Sequence, residues 1–279
     1  MQREFIQREF SVFERIIHRF AFRPAIRRRL VRIRFVRRIY GGWNRTHPFD
    51  VAEQVETSGY VPADQLTSDD RLKGLIIPYA GSSPSVIRKA ISTLPDVRDY
   101  SFVDLGCGKG RALLVASEYA FMKIIGVELS AELSATARRN VQTVANHYPK
   151  RSPMNVVEGN AIGFELPAGK VVVFVYHSFG LELMSQVIGE LETALENRLD
   201  HVFVVYYNPV HSVALDSSPF FKRWFAATFK LVPEEVGYAP DNKDTVVIWQ
   251  SNKGSVHAEH PGSDRKIVIL QKDWQAGLS

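Results

Sequence analysis

The chain has 279 residues, 45% hydrophobic and 23% charged, which suits one core domain with an attachment. Its single cysteine, Cys107, excludes an intramolecular disulfide and a cysteine-rich zinc site, and no His/Asp/Glu grouping has metal-ligand spacing, so no metal is expected. No apolar run reaches the roughly 18 residues of a membrane-spanning helix, and the N-terminus lacks the apolar stretch of a secretory signal; a cytoplasmic protein is expected, with peripheral attachment to the inner face of a membrane left open.

All the excess charge lies at the start. Residues 1–45 hold 13 Arg, no Lys and 3 Glu, a net of +10, against −5 for the remainder. Ile6, Phe10, Phe13, Ile17 and Phe20 line one face of a helix, and Pro24 opens a second helical segment, Ala25 to Tyr40, which Gly41-Gly42 stops. An apolar stripe among arginines suits an anionic membrane surface. The competing readings are a helical extension packed on the domain or on a dimer partner and, less favoured for want of a nucleic-acid motif, phosphate contacts.

Residues 46–81 read as a linker and cofactor-covering segment. Ser83 as cap and Pro84 at the first position then open a helix through Ile87, Ala90, Ile91 and Leu94, closed by Pro95. From Tyr100 strands and helices alternate. The expected strands are Ser101–Leu105, Lys123–Leu129, Met154–Glu158, Val171–Tyr176 and His201–Tyr207. The expected helices are Arg111–Tyr119, one capped by Ser130 with Leu133, Ala137, Val141 and Val144 on a face, and one through Leu181, Met184, Ile188, Leu191 and Leu195. A helix near Phe220–Thr228 should precede strands Lys230–Val236 and Thr245–Gln250. The short link Pro240–Asp244 makes that pair antiparallel. The polar tail 252–279 contains Lys266–Leu270, a candidate edge strand. Apolar strands alternating with amphipathic helices predict an α/β fold, a mostly parallel sheet covered on both faces.

The first long strand runs into Gly106-Cys107-Gly108-Lys109-Gly110. Glycines there permit positive φ and close approach of a ligand to backbone. The spacing is G-x-G-x-G, with Arg111 where dinucleotide-binding loops place a third glycine, which argues against a nicotinamide-dependent oxidoreductase. Asp104, two residues before the loop, suits a cationic ligand better than a pyrophosphate. Glu128, about twenty residues on, ends the second strand, where a carboxylate can accept from ribose hydroxyls; a solvated helix-entry carboxylate beside Ser130 is the alternative.

VDLGCGKGR, IIGVELS and VEGNA, in that order, resemble the successive cofactor segments of class I, Rossmann-like S-adenosylmethionine-dependent methyltransferases, and the stretch 82–251 also looks like an uncharacterised bacterial group among them. The resemblance implies a seven-stranded sheet with an antiparallel last strand pair and S-adenosylmethionine as cofactor. By position it implies that Asp104, Gly106, Gly108 and Gly110 hold the methionine part, with Cys107 in the loop as a small space-filling residue. Glu128, with Leu129 beside it, would hold the ribose, and Gly159, Asn160 and Ala161 would lie along the adenine.

Catalysis is expected after the fourth long strand, at Tyr176-His177-Ser178-Phe179. Many amino-methylating relatives carry Asn-Pro-Pro-aromatic here, and this chain keeps only the aromatic. His177 is a candidate base, a cofactor-positioning or structural histidine being the alternative. Tyr79, Ser178, Tyr207, Asn208 and His211 are substrate-pocket candidates, against plain cap and turn roles. The expected activity is direct methyl transfer to an unidentified acceptor. The alternative is a non-catalytic binding module with the same fold.

Overall fold

The computed structural model describes residues 45–176, 179–238, 242–253, 260–264 and 267, with Asp70 and Lys73 described by backbone alone. Residues 1–44 of the arm, His177, Ser178, Pro240, Asp241 and, apart from Ile267, the strand expected at Lys266–Leu270 lie outside the described residues.

The segment before the main sheet is more than a linker. It contains α1 (Pro48–Glu53), β1 (Tyr60–Val61), a 3-10 turn at Ala63–Gln65, α2 (Asp70–Lys73) and β2 (Tyr79–Ala80). β1 and β2 pair antiparallel as a small ribbon. None of these elements spans enough residues to leave a period in the sequence. The next helix, α3 (Pro84–Thr93), starts where Pro84 predicts, but the Ser83 side chain makes no capping bond. Glu235 takes that place: its carboxylate accepts from Ser85 N (2.8 Å) and Ser85 Oγ at the positive end of the helix.

The main sheet comprises β3 (Tyr100–Leu105), β4 (Lys123–Glu128), β5 (Met154–Glu158), β6 (Gly169–Tyr176), β7 (Leu199–Tyr207), β8 (Phe221–Lys230) and β9 (Lys243–Ser251). Their order is β5-β4-β3-β6-β7-β9-β8, the first five parallel and β9 antiparallel to both neighbours. This is the seven-stranded Rossmann-like sheet, and its central strands are apolar on both faces because both are covered. α3, α4 (Arg111–Ala116) and α5 (Ala131–His147) pack Ile87, Ile91, Leu113, Leu114 and Val144 against Phe102, Phe174 and Phe203. α6 (Leu181–Asn197) packs Met184, Ile188 and Leu191 on the other face, against Val103, Val173 and Val204. Each such side chain contributes about 1.5–3 kcal/mol on full burial.

Phe220–Thr228 is not a helix; it belongs to β8, and the short helix after β7 is α7 (Ser212–Asp216). A bulge between Arg223 and Phe225 puts the successive residues Trp224 and Phe225 into the same core cluster, which produces a helix-like spacing of apolar residues inside a strand. Lys230–Val236 is correspondingly not a strand. The β8–β9 connection holds a 3-10 turn at Pro233–Glu235 and closes with Leu231 N donating to Asn242 O (3.0 Å).

Candidate functional site

The parallel strands carry Leu105, Glu128, Glu158, Tyr176 and Tyr207 to one edge of the sheet, and strand order reverses between β3 and β6. Connections leave such a point in opposite directions and open a crevice. The glycine loop lies there. Gly106 N and Cys107 N both donate to Val127 O, at 2.9 and 3.0 Å, tying the loop to β4. Gly106, Gly108 and Gly110 have φ of 80°, 56° and 85°, the left-handed region that side chains disfavour. Cys107 is buried, and burial pushes its thiol pKa well up, so it fills space without nucleophilic character.

Two carboxyls stand beside the loop. Glu128 is 6% exposed, so the solvated alternative does not hold. Its Oε2 accepts from Gly108 N (2.8 Å) and its Oε1 from Ser130 N (2.9 Å). Burial raises its pKa, opposed by the N–H groups of Ser130, Gly108 and Leu129. Asp104 is 3% exposed and has no hydrogen-bond partner among the described residues. Burial, and then the neighbouring Glu128, hold its pKa well above the usual carboxylate range. A cation placed here would favour the ionised form of both. The ammonium and sulfonium of S-adenosylmethionine fit that demand, and the loop's backbone provides close approach. On the β5 side, Gly159 N donates to Glu128 O (2.9 Å), Asn160 Oδ1 accepts from Ile162 N (3.0 Å), and Ala161 is buried. Asn160 Nδ2 remains as a donor.

The ribbon segment reaches over the same edge. A Cβ on Gly108 would overlap the ring of Tyr79, whose hydroxyl donates to Thr57 O (2.7 Å). Ile76 bridges to Phe179, and Gly180 N donates to Leu75 O (2.7 Å), so the segment spans from the glycine loop to the start of α6. Arg111 and Lys109 anchor it, as do Asp50 and Thr57 from within it. These residues were not singled out as functional from the sequence. The available signal was an arginine at a loop position that is normally small.

Tyr176, half-buried at the end of β6, meets the Tyr207 ring edge-on at 4.6 Å. Tyr207 is fully buried; its hydroxyl donates to Asp244 Oδ2 (2.5 Å) and accepts from Ser83 N (3.3 Å). Asn208 adopts φ 48° and bonds both Asp244 Oδ1 (3.1 Å) and the backbone N of Thr245 (3.2 Å), holding the end of β7 against β9. Tyr206 projects to the opposite sheet face, against Trp249. His211 occupies the N-cap position of α7 without a side-chain capping bond, and burial lowers its pKa. Tyr79, Tyr176, Phe179, Tyr207 and Asn208 thus gather along the carboxyl edge of the sheet.

A groove of about 670 Å³ runs beside α6, from Leu105 and Ala161 at the carboxyl edge of the sheet to Asn197 and Arg198. It exists because the β5–β6 connection contains no helix to cover that flank. Among the described residues no group of His, Cys, Asp or Glu could hold a metal, and no helix is long and apolar enough to cross a membrane.

Residues 103–198 match the methyltransferase domain family. A protein-lysine N-methyltransferase of Saccharolobus islandicus (strain REY15A) is 27% identical over 124 residues, 44% of this chain and 70% of that protein. Among solved structures, precorrin-6y C5,15-methyltransferase from Geobacter metallireducens GS-15 aligns over 67% of this chain and 94% of its own, with 16% identity and a TM-score of 0.45. An RNA methyltransferase from Salinibacter ruber, in complex with S-adenosyl-L-homocysteine, aligns over 65% and 99%, with 17% identity and a TM-score of 0.40. With the G-x-G-x-G loop and its two buried carboxyls, the family match identifies a Rossmann-like, S-adenosylmethionine-dependent methyltransferase domain in this chain.

Proposed function

We propose that the chain transfers a methyl group directly to an amine, a lysine side chain of a protein, entering over the ends of β6 and β7. S-adenosylmethionine supplies an electrophilic methyl on sulfonium: the acceptor lone pair forms the new C–N bond as the C–S bond breaks and sulfur keeps its electron pair. The observation that carries cofactor binding is Asp104, a buried carboxyl without a partner among the described residues, beside the glycine loop. The amine is supported by the protein-lysine relative and by the half-buried ring of Tyr176 at the end of β6, since an aromatic face attracts an alkylammonium. Tyr207, fixed by Asp244 and Ser83, holds the Tyr176 ring in place. The proton that the ammonium sheds before attack passes to water or to His177, next in the chain after Tyr176. Alignment and exclusion of water can supply roughly 7–11 kcal/mol of barrier reduction.

The test is incubation of the full chain with methyl-labelled cofactor and host extract, sorting label into protein, lipid, RNA and small molecules. Label in protein, released on hydrolysis as methyl-lysine, is expected; label confined to another fraction overturns the acceptor. The arm, residues 1–45, is proposed to attach the enzyme to an anionic membrane surface. Full-length protein should float with anionic vesicles and not with neutral ones.

A further inference from the structure

Arg111 has no part in the methyl transfer just described, yet it is 5% exposed and bonded through every guanidinium nitrogen. Its Nε donates to Thr57 Oγ1 (2.6 Å), its Nη2 to Thr57 O (2.9 Å) and its Nη1 to Ser82 O (3.1 Å); Asp50 Oδ1 lies 3.7 Å from Nη2. Asp50 in turn accepts from Thr57 N and Oγ1 and from Ser58 N and Oγ. Thr57 O is shared, because the Tyr79 hydroxyl also donates to it (2.7 Å). Two glycines make the contact close: a Cβ on Gly81 would overlap the guanidinium, and a Cβ on Gly108 would overlap the Tyr79 ring. Lys109 and Asn140 add bonds to Glu56 and Ser58.

We propose that Arg111 is a positioning residue: it latches residues 57–82 to the glycine loop and so holds the Tyr79 ring as a wall over Gly108, where the amino-acid tail of the cofactor is seated. The assignment of the tail follows from chemistry. An ammonium needs an acceptor, and Asp104, buried beside the glycine loop without a partner among the described residues, provides it. The adenine end has its own partners at 159–161, on the far side of Glu128. The inference rests on S-adenosylmethionine being the cofactor.

Calorimetry on the full chain with two ligands tests it: S-adenosylhomocysteine, and 5′-methylthioadenosine, which lacks the amino-acid tail. Tyr79→Ala and Arg111→Met should weaken S-adenosylhomocysteine by roughly tenfold or more and leave methylthioadenosine within about twofold. Arg111→Lys, which keeps the charge and loses the fork, should follow Arg111→Met. The double variant should be no worse than Tyr79→Ala, because Arg111 acts through the ring. Variants that are folded by circular dichroism and lose both ligands equally, or neither, overturn the proposal, as does an additive double variant. Should Arg111→Met fail to fold, Arg111→Lys and Tyr79→Ala decide by the same ratio. A wild-type chain that binds neither ligand overturns the cofactor reading itself, which is a distinct outcome.

Discussion

Asp104 and Glu128 are both carboxyls at the carboxyl edge of the sheet, and the structure treats them differently. Glu128 is held by backbone N–H groups of the glycine loop and of the entry to α5, whereas Asp104 has burial and a like charge for company. With its pKa raised, Asp104 carries a proton in the free site over part of the accessible pH range, and a bound ammonium favours the ionised form. Binding of S-adenosylhomocysteine should therefore release a proton, and affinity should rise with pH until Asp104 is ionised in the free protein. Asp104→Asn should lose that pH dependence and bind about 10–100-fold more weakly, as for a charged hydrogen bond worth roughly 1.5–3 kcal/mol. Calorimetry in buffers of different ionisation enthalpy measures both; an unchanged proton release in the variant would assign it to another group. Both carboxyls were legible in the sequence from their positions relative to the loop. Asp244 and Arg111 were not, because their partners lie far away in the chain: Tyr207 is 37 residues before Asp244, and Thr57 is 54 residues before Arg111.

At the scale of elements, β3, β4, β5, α5 and α6 lie close to where apolar periodicity puts them, because long, uniformly covered elements repeat their pattern enough times to be read. β8 misleads for the opposite reason: one bulge shifts the alternation and imitates a helix face. The packing of α4 on β4 carries a more local demand. A Cβ on Gly126 would lie 2.6 Å from Leu113 Cδ1 and 2.7 Å from Cys107 Sγ. Gly126→Ala should therefore destabilise the chain by about 1–3 kcal/mol in urea unfolding, as overpacking does. A Cys107→Ala background should recover part of this by removing one of the two overlaps. Equal losses in the two backgrounds would place the strain at Leu113 alone.

Stability of the whole molecule depends on how the segment before the sheet is attached. His47 opens α1 with Nδ1 accepting from Phe49 N (3.1 Å), and its own N donates to Ser58 Oγ (2.8 Å). Burial, and then Arg111, lower its pKa from 6.5 to about 4. The unfolded chain takes up a proton near 6.5 and the folded chain only near 4, so this contribution is complete above pH 6.5 and is lost as pH falls toward 4. His47→Asn keeps an acceptor for the cap and does not titrate. Its urea midpoint should change less than that of wild type between pH 7 and pH 5; parallel declines would exclude His47 as the source.

Much of this protein was determined by its sequence alone. The α/β class follows from alternating apolar strands and amphipathic helices, and the cofactor from the family resemblance carried by a G-x-G-x-G loop with acids before and after it, since such motifs are local properties of the chain. The basic arm is likewise a matter of composition. Only the tertiary structure decided that Asp104 is buried without a partner among the described residues, that Tyr79 lies on Gly108, and that the Arg111 guanidinium is buried against Thr57 and Ser82. Those facts depend on which distant segments meet at the carboxyl edge of the sheet, and desolvation and contact at such meetings have no counterpart along the chain.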